Sequence, residues 1–210
     1  KIYILGNTSS AVQISYPLSA GGYKVGWVPI SSLSATIKYN ANGGSGTMSN
    51  TSAKYQSTFT LSTNKFTKTG YTFAGWNVYR SSDKKWYTTN GNGWQTASSI
   101  TSKGYTKQTY KNGWSGKLDQ SWLNLGKTSE TFTFYPIWKA NTLSVYYNAN
   151  GGSIDSDTYK ISSNLIYKVS DGSKYVQSWT YNSKKTNGLV NISTFGLSKT
   201  GHTFKGWGTS

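Results

Sequence analysis

The 210 residues contain no cysteine, which excludes a disulfide framework, a thiolate metal site and a cysteine nucleophile. Acid is scarce as well: 6 Asp and Glu stand against 22 Lys and Arg, leaving a formal charge of +16. A single histidine, His202, offers little for proton transfer near neutral pH. No apolar run approaches the roughly 18 residues that a membrane-spanning helix needs. Glu, Ala and Leu are too thin on the ground for helical bundles or coiled coils. What the chain has instead is rings. Phe, Trp and Tyr make up 16% of residues within a hydrophobic total of 35%, so nearly half the apolar material is aromatic. Together with β-branched residues they recur in strand-like patterns, which argues against disorder and for a strand-rich protein with many turns.

Self-similarity is the strongest signal. Ile37-Lys-Tyr-Asn-Ala-Asn-Gly-Gly-Ser45 returns 108 residues later as Val145-Tyr-Tyr-Asn-Ala-Asn-Gly-Gly-Ser153. Thr69-Gly-Tyr-Thr-Phe-Ala-Gly-Trp76 returns 131 residues later as Thr200-Gly-His-Thr-Phe-Lys-Gly-Trp207. The second copy therefore holds 23 extra residues between its two blocks. Thr36 to Tyr39 alternates as a strand does, and Asn40 to Gly44 is a turn whose Asn and Gly tolerate positive φ. Tyr71, Phe73 and Trp76 predict a strand interrupted near Gly75, where a glycine marks a bulge or a close backbone approach. The first copy closes on Thr131-Phe-Thr-Phe-Tyr-Pro-Ile-Trp138, with Phe132, Phe134 and Trp138 turned inward, and the second has no such run.

Asn-Ala-Asn-Gly-Gly, then Gly-Tyr-Thr-Phe-x-Gly-Trp, then a closing aromatic strand resembles the Listeria–Bacteroides repeat, the internalin-type B repeat. The resemblance covers residues 35–140 and, incompletely, 143–210. It implies a small β-grasp-like fold found in tandem on secreted and surface proteins of bacteria. An absence of cysteine suits that setting, since secreted proteins of Gram-positive bacteria commonly avoid it. Two departures stand out: Arg80 to Leu125 is much longer than the family's usual middle, and His202 replaces the tyrosine of the second block. Upstream, Ile2–Leu5, Ala11–Tyr16 and Tyr23–Val28 read as three short strands similar to the distal half of a bacterial SH3-like barrel. The expected organisation is mainly β: a partial SH3-like barrel over 1–34, a β-grasp-like repeat with a long insertion over 35–140, and a second, incomplete repeat over 141–210. Both ends read as cut inside a domain, as in a fragment or mature product.

Catalysis finds few carriers. His202 stands where the first copy has Tyr71, a structural position, and no Ser sits in a Gly-x-Ser-x-Gly elbow. Asp155 and Asp157 follow a Gly-Gly turn and read as an acidic turn rather than a glycosidase pair or calcium loop. The expectation is therefore no enzyme, no cofactor and no metal. Ligand binding falls to insertion rings: Trp86, Trp94, Tyr105, Tyr110 and Trp114, whose flat faces suit sugars or bases, against the alternative that they fill a core short of aliphatics. In the repeat blocks Trp76, Trp138 and Trp207 read as core.

Arg80 is the only arginine, and a diffuse lysine surface suits polyanions such as wall polymer better than specific nucleic-acid reading. The glycosylation triplets at Asn7, Asn50 and Asn191 are discounted in a bacterial setting. Glu130 is the best acid for an internal Lys–Asn amide crosslink. The function expected is that of an extracellular, cell-surface or secreted segment acting as non-catalytic spacer or adhesion repeats. Its partners are cell-wall polymer, host glycan or protein, and neighbouring modules, without a transmembrane segment. The alternative is a glycan- or wall-binding accessory module of a secreted enzyme. Hairpins and one short helical turn near Asp119 to Leu125 are expected within the insertion.

Overall fold

Two-residue alternation governs the backbone. In Ser34–Tyr39, Ala35 and Ile37 are buried while Lys38 between Ile37 and Tyr39 meets water, the parity of a half-buried strand. A computed structural model describes residues 3–8, 10–91, 93–124, 129–154, 166–168, 174–180 and 197–208. The chain is mainly β and divides into two units, residues 1–139 and 140–210.

The first unit begins with β1 (Tyr3–Asn7), β2 (Ala11–Pro17) and β3 (Tyr23–Pro29), an open antiparallel meander. These are the three strands read from the sequence, and no barrel closes among the described residues. Val12 is fully buried, and Ile14 and Val28 pack with it against the core of the unit. On the other face Tyr23, Val25 and Trp27 are exposed, each opposite Pro17, Ser15 and Gln13.

A 3₁₀ turn at Ile30–Ser32 leads into β4 (Ser34–Tyr39). Then follow β5 (Thr51–Lys54), β6 (Thr58–Thr60), β7 (Tyr71–Arg80), β8 (Lys85–Thr88), β9 (Gly93–Thr96), α1 (Ala97–Lys103), β10 (Ser115–Lys117) and β11 (Ser129–Ala140). Six of them make one sheet in the order β5-β4-β11-β7-β8-β9, while β6 and β10 pair separately. The first and last strands of the repeat lie side by side and parallel, with Ile37 beside Phe132 and Tyr39 beside Phe134.

The core is aromatic. Trp122 lies 5.4 Å from Phe59, 5.3 Å from Phe132 and 5.8 Å from Tyr110, centroid to centroid, and stacks within 8° of Tyr87. Rings here supply the buried area that aliphatics supply elsewhere. One cost is visible: the indole N–H of buried Trp76 has no hydrogen-bond partner.

The helix differs from expectation. It spans Ala97–Lys103, and Asp119 to Asn124 forms a turn instead, with Asp119 accepting from the Ser121 N–H at 2.9 Å. The reason is capping. Thr96 accepts from the Ser99 N–H at 3.2 Å, Lys103 ends the last turn and Gly104 adopts φ +64°. No helix residue is buried, so no apolar stripe announced it.

The second unit contains β12 (Thr142–Asn148), β13 (Ser153–Ile154), β14 (Ile166–Lys168), β15 (Lys174–Thr180) and β16 (Leu197–Ser198), with β12-β15-β14 antiparallel. Its repeat blocks reproduce the first unit's local geometry. Asn42 and Asn150 sit at φ +49° and +48°, each donating its N–H to the asparagine two residues before. The antiparallel bridge Ser45↔Thr67 recurs as Ser153↔Ser198. Phe204 meets Trp207 edge-on at 5.3 Å, as Phe73 meets Trp76 at 4.9 Å. Strand β7 of the first copy has no counterpart at 202–208, which lie outside any ladder among the described residues. Asp155, Asp157, Leu125 and Asn191 lie outside the described residues.

Candidate functional site

The insertion is built by a hairpin and a returning segment. β8 and β9 pair antiparallel, α1 turns the chain, and Thr106 to Tyr110 comes back along both β8 and β7. Thr88 bridges Lys107, and Trp76 exchanges two backbone hydrogen bonds with Tyr110, at 2.8 and 2.9 Å. Gly75 makes this approach possible: at φ +139°, an added Cβ would fall 2.6 Å from Thr109 Cγ2 and 3.0 Å from the Tyr110 carbonyl oxygen. The backbone approach expected at Gly75 is thus in place, within an unbroken β7.

Three of the five sequence-derived ring candidates gather round Trp122 on the inner face. Tyr110 is buried, and burial, with Tyr87 adding to it, pushes its phenol well above the ordinary value. Trp114 lies edge-on to Tyr110 at 4.7 Å and directly over Gly116, where a Cβ would come within 2.0 Å of the indole. Trp94 donates its Nε1–H to the Ser121 carbonyl at 2.8 Å. Its ring carries the Arg80 guanidinium at 4.3 Å and stacks on Phe132 at 5.6 Å, so its faces are taken up by the protein. Tyr105 stands apart, packed over Gly91.

Trp86 is on the opposite face. It is the cross-strand partner of Tyr79, which alternates with buried Val78 and Arg80 and so points outward. Tyr135, between buried Phe134 and Pro136, joins them. Trp86 lies 5.1 Å from Tyr79 and 5.2 Å from Tyr135, with planes inclined by more than 50°. Lys107 places its Nζ 3.6 Å over the Trp86 ring. Burial depresses the Lys107 ammonium below the usual lysine value. Tyr79, Tyr135 and Lys107 were not among the sequence candidates, although strand parity in β7 and β11 points both tyrosines outward.

Charged groups elsewhere serve the frame. Arg80 donates from Nε and Nη2 to Asp83 at 3.0 and 2.8 Å, and from Nη1 to the Trp122 carbonyl at 2.8 Å. Lys85 adds a second cation 3.3 Å from Asp83. Buried Glu130 accepts from the Ser82 hydroxyl, and from the N–H groups of Ser82 at 3.3 Å and Thr131 at 2.9 Å. Asn124 reaches Ser82 Oγ at 3.0 Å. Among the described residues no lysine is hydrogen-bonded or ion-paired to Glu130, and Lys127 lies outside the described residues. His202 is exposed, with Nδ1 2.9 Å from the Thr200 carbonyl. The described residues hold no cluster of three or more His, Cys, Asp or Glu that could hold a metal ion, and no helix long and apolar enough to cross a membrane. A groove of about 530 Å³ opens at the hairpin end, lined by Tyr87, Thr88, Thr89, Trp94, Gln108 and Ser121 among others.

Residues 36–101 match the Listeria-Bacteroides repeat domain family. The match spans both blocks of the first copy and enters the insertion as far as α1. That repeat domain is typical of surface and secreted bacterial proteins. No curated protein and no solved structure matches the chain.

Proposed function

We propose that the chain is a segment of a modular bacterial cell-surface or secreted protein whose tandem repeats act as a non-catalytic spacer and adhesive stalk. The observation that carries this reading is the duplicated clamp of turns. Ser45↔Thr67 and Ser153↔Ser198 close the same pair of loops in two successive units, each beside an Asn-Ala-Asn-Gly-Gly turn. Stability in such arrays is summed over like units, which suits extension away from a wall. We read residues 1–34 as a partial SH3-like module preceding two β-grasp-like repeats, with wall polymer, host glycan or protein as partners. The test is protease shaving of intact cells of the organism that encodes the chain. Peptides from 1–210 are expected in the shaved fraction, and their confinement to the cytosol overturns the reading.

A second reading, a glycan- or wall-binding accessory module of a secreted enzyme, is favoured by the outward rings Tyr79, Trp86 and Tyr135. Rings kept half-exposed on a sheet face give up apolar burial that a purely structural strand would take.

A further inference from the structure

We propose that the outward face of the six-stranded sheet binds an acidic polysaccharide, a uronic-acid pyranose stacking on Trp86 and Tyr135 while its carboxylate pairs with Lys107. The inference deepens the adhesive and glycan-binding readings above and rests on them only for its biological setting.

Three observations converge. Strand parity puts Tyr79, Trp86 and Tyr135 together on the solvent side, with ring centroids 5.1 to 6.5 Å apart. Flat apolar rings of this kind match the C–H face of a pyranose, while the sugar's hydroxyls stay in water. Second, the Lys107 ammonium is drawn onto the Trp86 ring with no carboxylate in ion-pair range among the described residues. A cation partly withdrawn from water gains most from an anion brought beside it. A carboxylate would lift the ammonium off the ring and uncover the face on which the sugar lies. Third, the charges that strand parity and contact place on this face, Lys38 and Lys107, are positive. Lys38 sits on the same side, opposite Thr133, and no Asp or Glu precedes Asp83 in the chain. Asp83 itself is held by Arg80 and Lys85, and Glu130 is buried inward.

Nucleic acid fits less well. The one guanidinium fork, at Arg80, is spent on Asp83 and the Trp122 carbonyl inside the core. A lysine over a ring offers a point charge and a stacking face, which an acidic sugar uses fully.

The purified 210-residue chain is run by affinity electrophoresis and calorimetry against polygalacturonate, with neutral pullulan, polyphosphate and oligo(dT) as comparators. Retardation by polygalacturonate and not by pullulan is expected. Trp86→Ala should weaken it roughly tenfold, with Trp86→Phe restoring most of it. Lys107→Gln should weaken it similarly and flatten its salt dependence. Melting curves identify any variant that fails to fold, and Lys107→Gln, which removes no ring, then decides alone. No retardation by polygalacturonate overturns the proposal, as does unchanged binding in folded Trp86→Ala or Lys107→Gln. Equal retardation by polyphosphate or oligo(dT) with the same loss in Trp86→Ala also overturns it, assigning the face to another polyanion. Because the assay uses isolated protein, its failure leaves the shaving result untouched, and the reverse holds.

Discussion

The guanidinium of Arg80 lies 4.3 Å over the ring of Trp94 while its two outer nitrogens hold the C-terminal end of β7 to the insertion through the Trp122 carbonyl and Asp83. The only arginine of the chain therefore joins the repeat to the long segment that sets this copy apart.

Replacing Arg80 tests that joint. Arg80→Ala leaves the Trp122 carbonyl without its donor and Asp83 with Lys85 alone, bares the Trp94 ring, and should cost about 1.5–3 kcal/mol in denaturant unfolding. Arg80→Lys keeps the charge but loses the fork and the flat stack, so it should fall between wild type and Arg80→Ala. Equal stability of all three proteins would show that the buried cation contributes nothing.

Acid should weaken the same joint. Burial works to raise the Asp83 carboxyl, yet hydrogen bonds and charge from Arg80 and Lys85 together outweigh it and hold the group below its ordinary value of 3.8. A carboxyl depressed in the folded state contributes stability above its unfolded value. That contribution is lost as pH falls below 3.8 through the lower folded value. Melting temperature should therefore drop on acidification in that range, and Asp83→Asn should flatten the drop. A wild-type acid limb identical to that of Asp83→Asn would remove Asp83 from the account.

Glycine substitutions separate backbone strain from crowding. Gly75→Ala meets both a φ of +139° and Thr109 Cγ2 at 2.6 Å, and should cost more than about 1 kcal/mol. Gly116→Ala meets first the Trp114 indole, a movable ring, and should cost about 1–3 kcal/mol by displacing it from Tyr110. Near-ultraviolet circular dichroism should change for Gly116→Ala, because the displaced ring belongs to the aromatic core. An unchanged spectrum with unchanged stability would place Trp114 elsewhere.

Much of the frame was legible because it rests on short periods. The alternation Phe132, Phe134 with buried Pro136 announces β11, and the doubled Asn-Ala-Asn-Gly-Gly announces the two turns. Helix α1 was not legible, since its only signals are caps at Thr96 and Gly104 around a run of Ser and Thr. The outward ring group was half legible. Trp86 was singled out by its place in the insertion, whereas Tyr79 and Tyr135 needed the in-and-out alternation of β7 and β11 to be read along each strand. Trp122 as the centre of the ring cluster depends on loops folding together from four separate segments, and no local pattern encodes that.

The paired bridges carry a consequence for how such chains diversify. Between the bridged residues the chain runs 22 positions in the first copy and 45 in the second, yet the neck has the same form. Doubling a closed excursion raises its closure entropy by only about 0.6 kcal/mol. Successive copies can therefore suspend payloads of different length and chemistry from one invariant collar, each free to vary without disturbing its neighbour's register.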